Sequence, residues 1–518
     1  APDAVPSGDH YYDHHLHLSA IQADRPSRRM HIHRKRRAFF LSRGPEEQMM
    51  KRTLVTKFGG TSVGSPQALQ AVAGIVRANR EDWPREVVVV SAMGGVTDLL
   101  LAGAAAACRG DSEGIRQSAD AIAEKHAEAI REGGLGAETQ SAVDGFRTEL
   151  DGLYHAVAVL REASPRAMDA IASLGERMSI HIVSGYLRQA GLQAVPVEAG
   201  SFLLTDGNFQ NASPIMDKVD DRAVSVLGPI LERGDVPVIT GFIGADAEGA
   251  ITTLGRGGSD WSAAIIGSAI RADEVWIYTD VDGVMTADPR QAPDARSLPS
   301  LSYREISEMA YYGAKVVHPK TIRPCMDNGI PLWIKNTFHP DHPGTLIRDN
   351  GGASSGVIKA VTAIRDQMML TVQGGGMMGV PGIAARTFAA VARMGVSVTM
   401  ITQASSEQSI CFSVPNRNGR AVKAELEEEF RREIDRKDID AVEILEHCVI
   451  VTVVGAGMRK THGISGRIFS ALGDAEVNVV AIAQGSSECS ISLVVENQDE
   501  LPAVRAIHAL IISDNNIR

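Results

Sequence analysis

Four short stretches of this sequence combine the side chains that bind anions and cations. The first is KFGGTSVG, residues 57–64, between an apolar run (Leu54, Val55) and a helical segment. Gly59 and Gly60 let backbone N–H groups approach an anion, a helix N-terminus adds partial positive charge, and Lys57 adds a full one. The composition fits a phosphate cradle and equally a plain strand-to-helix turn. It is not the P-loop of NTPases, because Lys57 precedes the glycines and Ser65 alone follows Gly64.

The second stretch, TLGRGGSD (253–260), sets Arg256 among glycines just before Ser259 and Asp260. A guanidinium is the natural bidentate partner of a carboxylate or phosphate. In the third, SLGER (173–177), Glu176 follows a glycine in a helical context. Alone, a helix glutamate is commonly a solvated one and Arg256 equally a solvated arginine in a tight turn; in a site that must hold an amino group and a carboxyl group, the two would form a clamp for a zwitterionic amino acid. The fourth, YTDVDGVMTADPR (278–290), carries Asp280, Asp282 and Asp288 but lacks the spacing and terminal glutamate of a calcium loop. As a nucleotide loop it places Thr279 and Asp280 for a base or ribose and Arg290 for a phosphate. Downstream, YGAKVVHPKT (312–321) offers Lys315 in another glycine-containing turn.

The elements that hold these stretches alternate between strand and helix from 53 to about 346. TLVTKF, EVVVVSA, AVPVEA, VPVITGFIG (236–244) and EVWIYTD read as strands; 98–163 and 167–191 read as helices. This order predicts an α/β fold with a mainly parallel sheet sandwiched by helices and ligands at the strand C-termini.

A Gly/Ser-rich break at 349–356 reads as a linker, and beyond it the sequence repeats itself. Residues 371–410 align without gaps on 452–491, a constant offset of 81 residues, with Gly374/Gly455, Met377/Met458, Arg386/Arg467 and Gln403/Gln484 identical. Each copy reads strand, turn, helix, strand, turn, strand, which predicts two related α+β modules packed together. Gly374, Gly376 and Gly379 fit GxGxxG. However, no acidic residue follows at the next strand end, and Lys460 replaces the third glycine in the second copy, so a nicotinamide site is excluded.

A chain of 518 residues needs several cores. Its net charge of −11 argues against nucleic-acid binding, and no apolar stretch is long enough for a membrane span. Five scattered cysteines without a CxxC point to a reducing, cytoplasmic compartment and no structural zinc. Residues 1–48 are His-rich and then basic, without apolar period, and are expected to be a disordered extension rather than a metal tract, targeting peptide or polyanion-binding arm.

In their order and spacing, KFGGTSVG, SLGER, GFIG (241–244), TLGRGGSD, YTDVDGVMTADPR and YGAKVVHP resemble aspartate kinases of the amino-acid kinase superfamily, over residues 51–518. The repeats, with ITQASSE and AIAQGSSE, are similar to the tandem ACT domains of threonine-sensitive aspartokinase–homoserine dehydrogenases. The resemblance implies a catalytic domain at 49–348 and ferredoxin-like ACT domains at 357–445 and 446–518. It implies phosphorylation of the L-aspartate β-carboxylate by ATP with Mg²⁺, the first step toward lysine, threonine and methionine. The chain is then a single-activity kinase or the kinase half of a bifunctional enzyme; kinases of glutamate or acetylglutamate are the other alternative. Implied roles are phosphate binding for Lys57 and Gly60, and aspartate binding for Ser91, Thr97, Glu176, Phe242, Arg256 and Ser259. Asp260 would orient Lys57 or organise metal-bound phosphates. Thr279, Asp280, Met285, Arg290 and Lys315 would bind ATP, Met285 standing where many relatives carry tyrosine. No residue is assigned as a resident metal ligand. Gln403 and Gln484 are the expected contacts of a feedback effector, threonine or lysine, and ACT pairing implies a homo-oligomer.

Overall fold

The β-branched run inside Arg85–Val90 shows how the first sheet is built. Val87 and Val89 enter one apolar core and Val88 and Val90 the other, so the strand is buried on both faces. The computed structural model describes residues 52–314, 317–349, 356–403, 408–459, 461–485 and 488–516. The expected extension at 1–48, Lys315 and most of the 349–356 linker lie outside them.

In chain order the catalytic part runs β1 (Thr53–Phe58), α1 (Pro66–Asn79), β2 (Arg85–Val90), α2 (Val96–Arg109), α3 (Ser112–Glu132), α4 (Ala137–Leu160) and α5 (Pro165–Gln189). It continues with β3 (Ala194–Val197), α6 (Met216–Glu232), β4 (Val236–Thr240), β5 (Ile243–Ala245), β6 (Ile251–Thr253), α7 (Gly258–Ile270) and β7 (Glu274–Thr279). Then come β8 (Ser300–Ser302), α8 (Tyr303–Tyr311), α9 (Pro319–Asn328), β9 (Leu332–Asn336) and β10 (Thr345–Arg348). Eight of these strands form one sheet, β3-β4-β2-β1-β7-β9-β10-β8, parallel except where β10 meets β9. Helices α1 to α5 pack on one face through residues such as Leu69, Leu100 and Leu174. Helices α6 to α9 pack on the other through Leu227, Ile265, Ile306 and Ile322. The stretch 236–244, expected as one strand, is broken: Phe242 adopts φ 66° and its N–H donates to Ser262 Oγ at 2.9 Å. Among the described residues no helix is long and apolar enough to cross a membrane.

The regulatory part is β11 (Ala360–Gln373), α10 (Ile383–Arg393), β12 (Met400–Gln403), β13 (Ser409–Pro415), α11 (Asn416–Glu429), α12 (Arg431–Asp435), β14 (Ala441–Val454), α13 (Ile464–Asp474), β15 (Ala481–Gln484), β16 (Ser490–Glu496) and α14 (Glu500–Asn516). Six strands make one sheet, β12-β13-β11-β14-β16-β15. The two long strands are shared. Residues 360–364 pair with 450–454, whereas 369–373 pair with 441–445. The expected division at 445/446 therefore falls inside β14, and the fourth strand of the second copy comes from residues that precede the first copy in the chain. The register shifts lie at Asp366 (φ 56°) and His447 (φ 55°), equivalent positions 81 residues apart. A small core of Met369, Met400, Cys448, Ile450 and Val494 joins the two halves.

A left-handed residue at a bulge costs a side chain about 1–2 kcal/mol, most of all a β-branched one. His447 already bears that cost, so His447→Gly is expected not to lower resistance to urea, and the β-branched His447→Val to lower it.

Candidate active site

The parallel strands all end toward one edge of the first sheet, and the turns after β1, β2 and β4 open onto a single cavity there. Its volume is about 580 Å³. Its lining includes Lys57, Gly60, Ser91, Thr97, Glu176, Phe242, Arg256, Ser259 and Asp260. Residues more than 200 apart in the sequence thus meet because β1, β2 and β4 are neighbours and α7 begins beside them.

Lys57 is buried at the end of β1, its Nζ 2.5 Å from Asp260 Oδ1. Asp260 lies in the first turn of α7, where the helix dipole favours an anion. The contact is a close ammonium–carboxylate ion pair. The loop 59–64 is tied down by Ser62 Oγ, 2.6 Å from Thr337 Oγ1, and Ser65 caps α1 by accepting the Ala68 N–H. A Cβ on Gly64 would sit 2.9 Å from the Gly60 carbonyl oxygen, so this turn closes only with glycine there.

Glu176 lies midway along α5, buried, with Oε2 lacking any hydrogen-bond partner. Its neighbour Gly175 explains the SLGER pattern: a Cβ there would fall 2.7 Å from the Ala92 Cβ, so glycine lets α5 approach the β2–α2 turn. Burial pushes the Glu176 carboxyl up to about 8, opposed by a backbone hydrogen bond at Ala92 and by the Lys57 charge. Arg256 is exposed to the same cavity and has no carboxylate partner among the described residues. One cavity therefore presents an unsatisfied carboxyl oxygen, a guanidinium and an ammonium to whatever enters it.

Two features escaped the sequence reading. The start of α2 also faces the cavity, through Met93, Gly94, Gly95 and Asp98, with Gly95 left-handed and no side chain capping the helix. Asp169, two helical turns before Glu176, accepts from Thr253 N at 2.9 Å and Thr253 Oγ1 at 2.8 Å. It pins the end of β6 and so places the loop bearing Arg256. The only sequence signal for Asp169 is its i, i+7 spacing from Glu176.

The residues expected to bind nucleotide divide. Lys57 and Gly60 line the first cavity, and Gly59 adjoins it, its N–H donating to Tyr278 O. Thr279 and Asp280 sit at the end of β7, with Thr279 Oγ1 donating to Asp280 Oδ1 at 3.1 Å. Met285 and Arg290 instead line a second cavity of about 650 Å³, whose wall includes Gly313, Ala314, residues 361–366 of β11 and Glu500. Arg290 is held by Asp288 through Nε and Nη2. Gln403 and Gln484 are both exposed at the ends of the sheet's outer strands, β12 and β15.

Residues 52–336 match the amino acid kinase family, and residues 370–430 and 451–510 match the ACT domain. The bifunctional aspartokinase/homoserine dehydrogenase of Haemophilus influenzae is 35% identical over 474 residues, 89% of this chain and 57% of that one. The chain thus spans little more than half the length of that relative. The chloroplastic aspartokinase 2 of Arabidopsis thaliana is 34% identical over 465 residues, 88% of this chain and 84% of that one. The crystal structure of E. coli aspartokinase III with aspartate and ADP, an R-state, superposes with a TM-score of 0.75 at 29% identity, covering 89% of this chain and all of the other. The same enzyme with lysine and aspartate, a T-state, gives 0.68 at 30% identity.

Proposed function

We propose that this chain, which belongs to the amino acid kinase family and within it to the aspartokinases, transfers the γ-phosphoryl group of ATP to the β-carboxylate of L-aspartate. The products are ADP and 4-phospho-L-aspartate, at the entry to lysine, threonine and methionine synthesis. The observation that carries this reading is the meeting of Lys57–Asp260, Glu176 and Arg256 in one cavity. Glu176 takes the substrate's ammonium, Arg256 its α-carboxylate, and Ser91, Thr97, Phe242 and Ser259 fix the rest of the molecule. The β-carboxylate then faces Lys57.

A carboxylate of ordinary pKa near ~4 is already ionised at neutral pH, so the reaction needs no general base. The β-carboxylate oxygen forms a bond to the γ-phosphorus as the bond to the β,γ-bridging oxygen breaks and ADP leaves. Catalysis consists of in-line placement and neutralisation of equatorial charge. Lys57 and the backbone N–H of Gly60 supply that on the protein side, while the Gly59 N–H, bonded to Tyr278 O, holds the turn in place. Thr279, Asp280, Met285, Arg290 and Lys315 are the proposed nucleotide contacts. Among the described residues no group of three or more His, Cys, Asp or Glu is placed to hold a metal. Mg²⁺ characteristically binds through substrate phosphates and one or two carboxylates, and Asp260, in the first turn of α7, is the cavity carboxylate that would contribute to holding it. The ion would screen charge between the β- and γ-phosphates.

The repeats are proposed to bind an amino-acid effector, threonine first and lysine second, with Gln403 and Gln484 as side-chain contacts. They also pair two or more chains into a homo-oligomer through their ACT sheets. The five cysteines are free thiols, which suits a reducing cytoplasmic compartment. The same chemistry serves whether the chain acts alone or as the kinase half of a bifunctional enzyme.

Lys57→Ala and Arg256→Ala are each expected to abolish aspartate-dependent ADP formation while circular dichroism stays native; near-normal turnover by either variant sinks the assignment, and turnover on glutamate or acetylglutamate instead of aspartate redirects it. Glu176 must be ionised to pair with an ammonium. Its pKa is raised to about 8 in the free protein, so the KM for aspartate should fall as pH rises toward about 8 and level off above it. Glu176→Gln should flatten that profile and raise KM throughout. Threonine or lysine should lower the initial rate of the wild type; rates indifferent to both, singly and together, end the feedback reading.

A further inference from the structure

We infer that Glu305 is a ligand of the second repeat supplied by the kinase domain itself: its carboxylate fills, in copy 2, the place that copy 1 leaves open for the carboxylate of a free amino acid. The effector half of this inference rests on the feedback reading above.

The two copies end their first strands in the same way. In copy 1 a 3₁₀ turn at Gly375–Met377 follows β11, and in copy 2 one at Ala456–Met458 follows β14. The Met377 N–H donates to Gly374 O and the Met458 N–H to Gly455 O, both at 3.1 Å. The N–H of Gly374 reaches Gln408 O, and that of Gly455 reaches the equivalent Cys489 O. The copies differ at the next amide. Ala456 N–H donates to Glu305 Oε1 at 2.8 Å, whereas Gly375 N–H, its equivalent, has no partner among the described residues.

Glu305 is fully buried, and its second oxygen accepts from Ser302 N at 2.7 Å, Ser302 Oγ at 2.9 Å and Lys359 Nζ at 3.0 Å. Lys359 marks the second difference. Its N–H donates to Val454 O at 2.8 Å, just as the Asp440 N–H donates to Gln373 O at 2.8 Å, so the two hold equivalent places. Copy 2 has a lysine where copy 1 has an exposed aspartate. A lysine there neutralises a protein carboxylate. An aspartate there repels one and suits the ammonium of a free amino acid. Copy 1 is thus built for a zwitterion, and copy 2 for the glutamate it already holds.

This glutamate acts as a positioning residue. It begins α8, and one turn later Glu308 accepts from Ser490 Oγ of copy 2 at 2.8 Å. The other end of α8 runs into Gly313 and Ala314, which with Met309 line the second cavity beside Met285 and Arg290. Any displacement of the copy 2 turn therefore pulls on the helix behind the nucleotide side of the site. With the carboxylate place of copy 2 taken, Gln484 faces only half a site, and the effector acts through Gln403.

The test uses the full chain. Glu305→Ala should raise the KM for ATP about tenfold and leave the KM for aspartate within about twofold. Added acetate should restore the ATP KM, and acetamide should not. Ala456→Pro removes only the amide donor, at a turn start that accepts proline, and should raise the ATP KM without responding to acetate; it stands in if Glu305→Ala fails to fold. Inhibition by threonine or lysine should be lost in Gln403→Ala and kept in Gln484→Ala. An unchanged ATP KM in folded Glu305→Ala or in Ala456→Pro, equal rescue by acetamide, or loss of inhibition in Gln484→Ala overturns the inference. If neither amino acid inhibits the wild type, the feedback reading alone fails, and the acetate experiment still decides the role of Glu305.

Discussion

A lysine can stand at the end of a buried central strand only if an opposite charge stands beside it, because an unpaired ammonium in that position is too costly to desolvate. Asp260 is that charge. It reaches Lys57 because α7 begins beside the end of β1, and its place in the first turn of α7 is itself favoured by the helix dipole. The pair fixes where the cavity lies. The 59–64 turn, the β2–α2 turn and the Arg256 loop all close around it. An ammonium carries three N–H donors, so with one carboxylate beside it Lys57 is held but not saturated when a phosphate arrives.

The rest of the cavity departs from the rules that govern the core. Glu176 keeps an unsatisfied oxygen under near-complete burial, and Phe242 holds a left-handed backbone in the middle of an expected strand. Each is costly in an empty protein and repaid only when a ligand arrives or a loop must turn at that point. Asp169 and Gly175 show how the scaffold sustains this. One pins the strand that delivers Arg256, and the other lets α5 come close enough to deliver Glu176.

The regulatory half obeys a different constraint. Its repeats are not beads in sequence: each long strand serves both copies, bending at Asp366 and His447. The segment that enters the sheet from the kinase side is therefore also the fourth strand of copy 2. Copy 2 is joined further to the kinase part by the Thr286–His508 hydrogen bond and by Glu500, which accepts from Gln291. Copy 1 is left with its glycine turn facing outward. A duplication that aligns without gaps has become an asymmetric pair, with the Glu305 carboxylate on the turn of copy 2 and no such partner among the described residues on that of copy 1.

By itself the sequence determined what is written locally. Strand and helix periodicity specified a mainly parallel α/β sheet, the glycines and charges of the motifs marked the strand end, helix and turn that bear Lys57, Glu176 and Arg256, and the 81-residue offset declared the duplication. These follow from short-range sterics and from the side-chain chemistry of neighbours. The tertiary structure alone decided which of those segments meet. It gathered nine of the expected residues around one cavity, sent Met285 and Arg290 to another, recruited Asp98 and Asp169, and threaded residues 360–364 into the second repeat. It also carried Glu305, an unremarkable helix glutamate in sequence, onto an amide 151 residues away. Such pairings depend on sheet order and on which polar groups burial leaves to be satisfied, and neither is encoded within the span of any one motif.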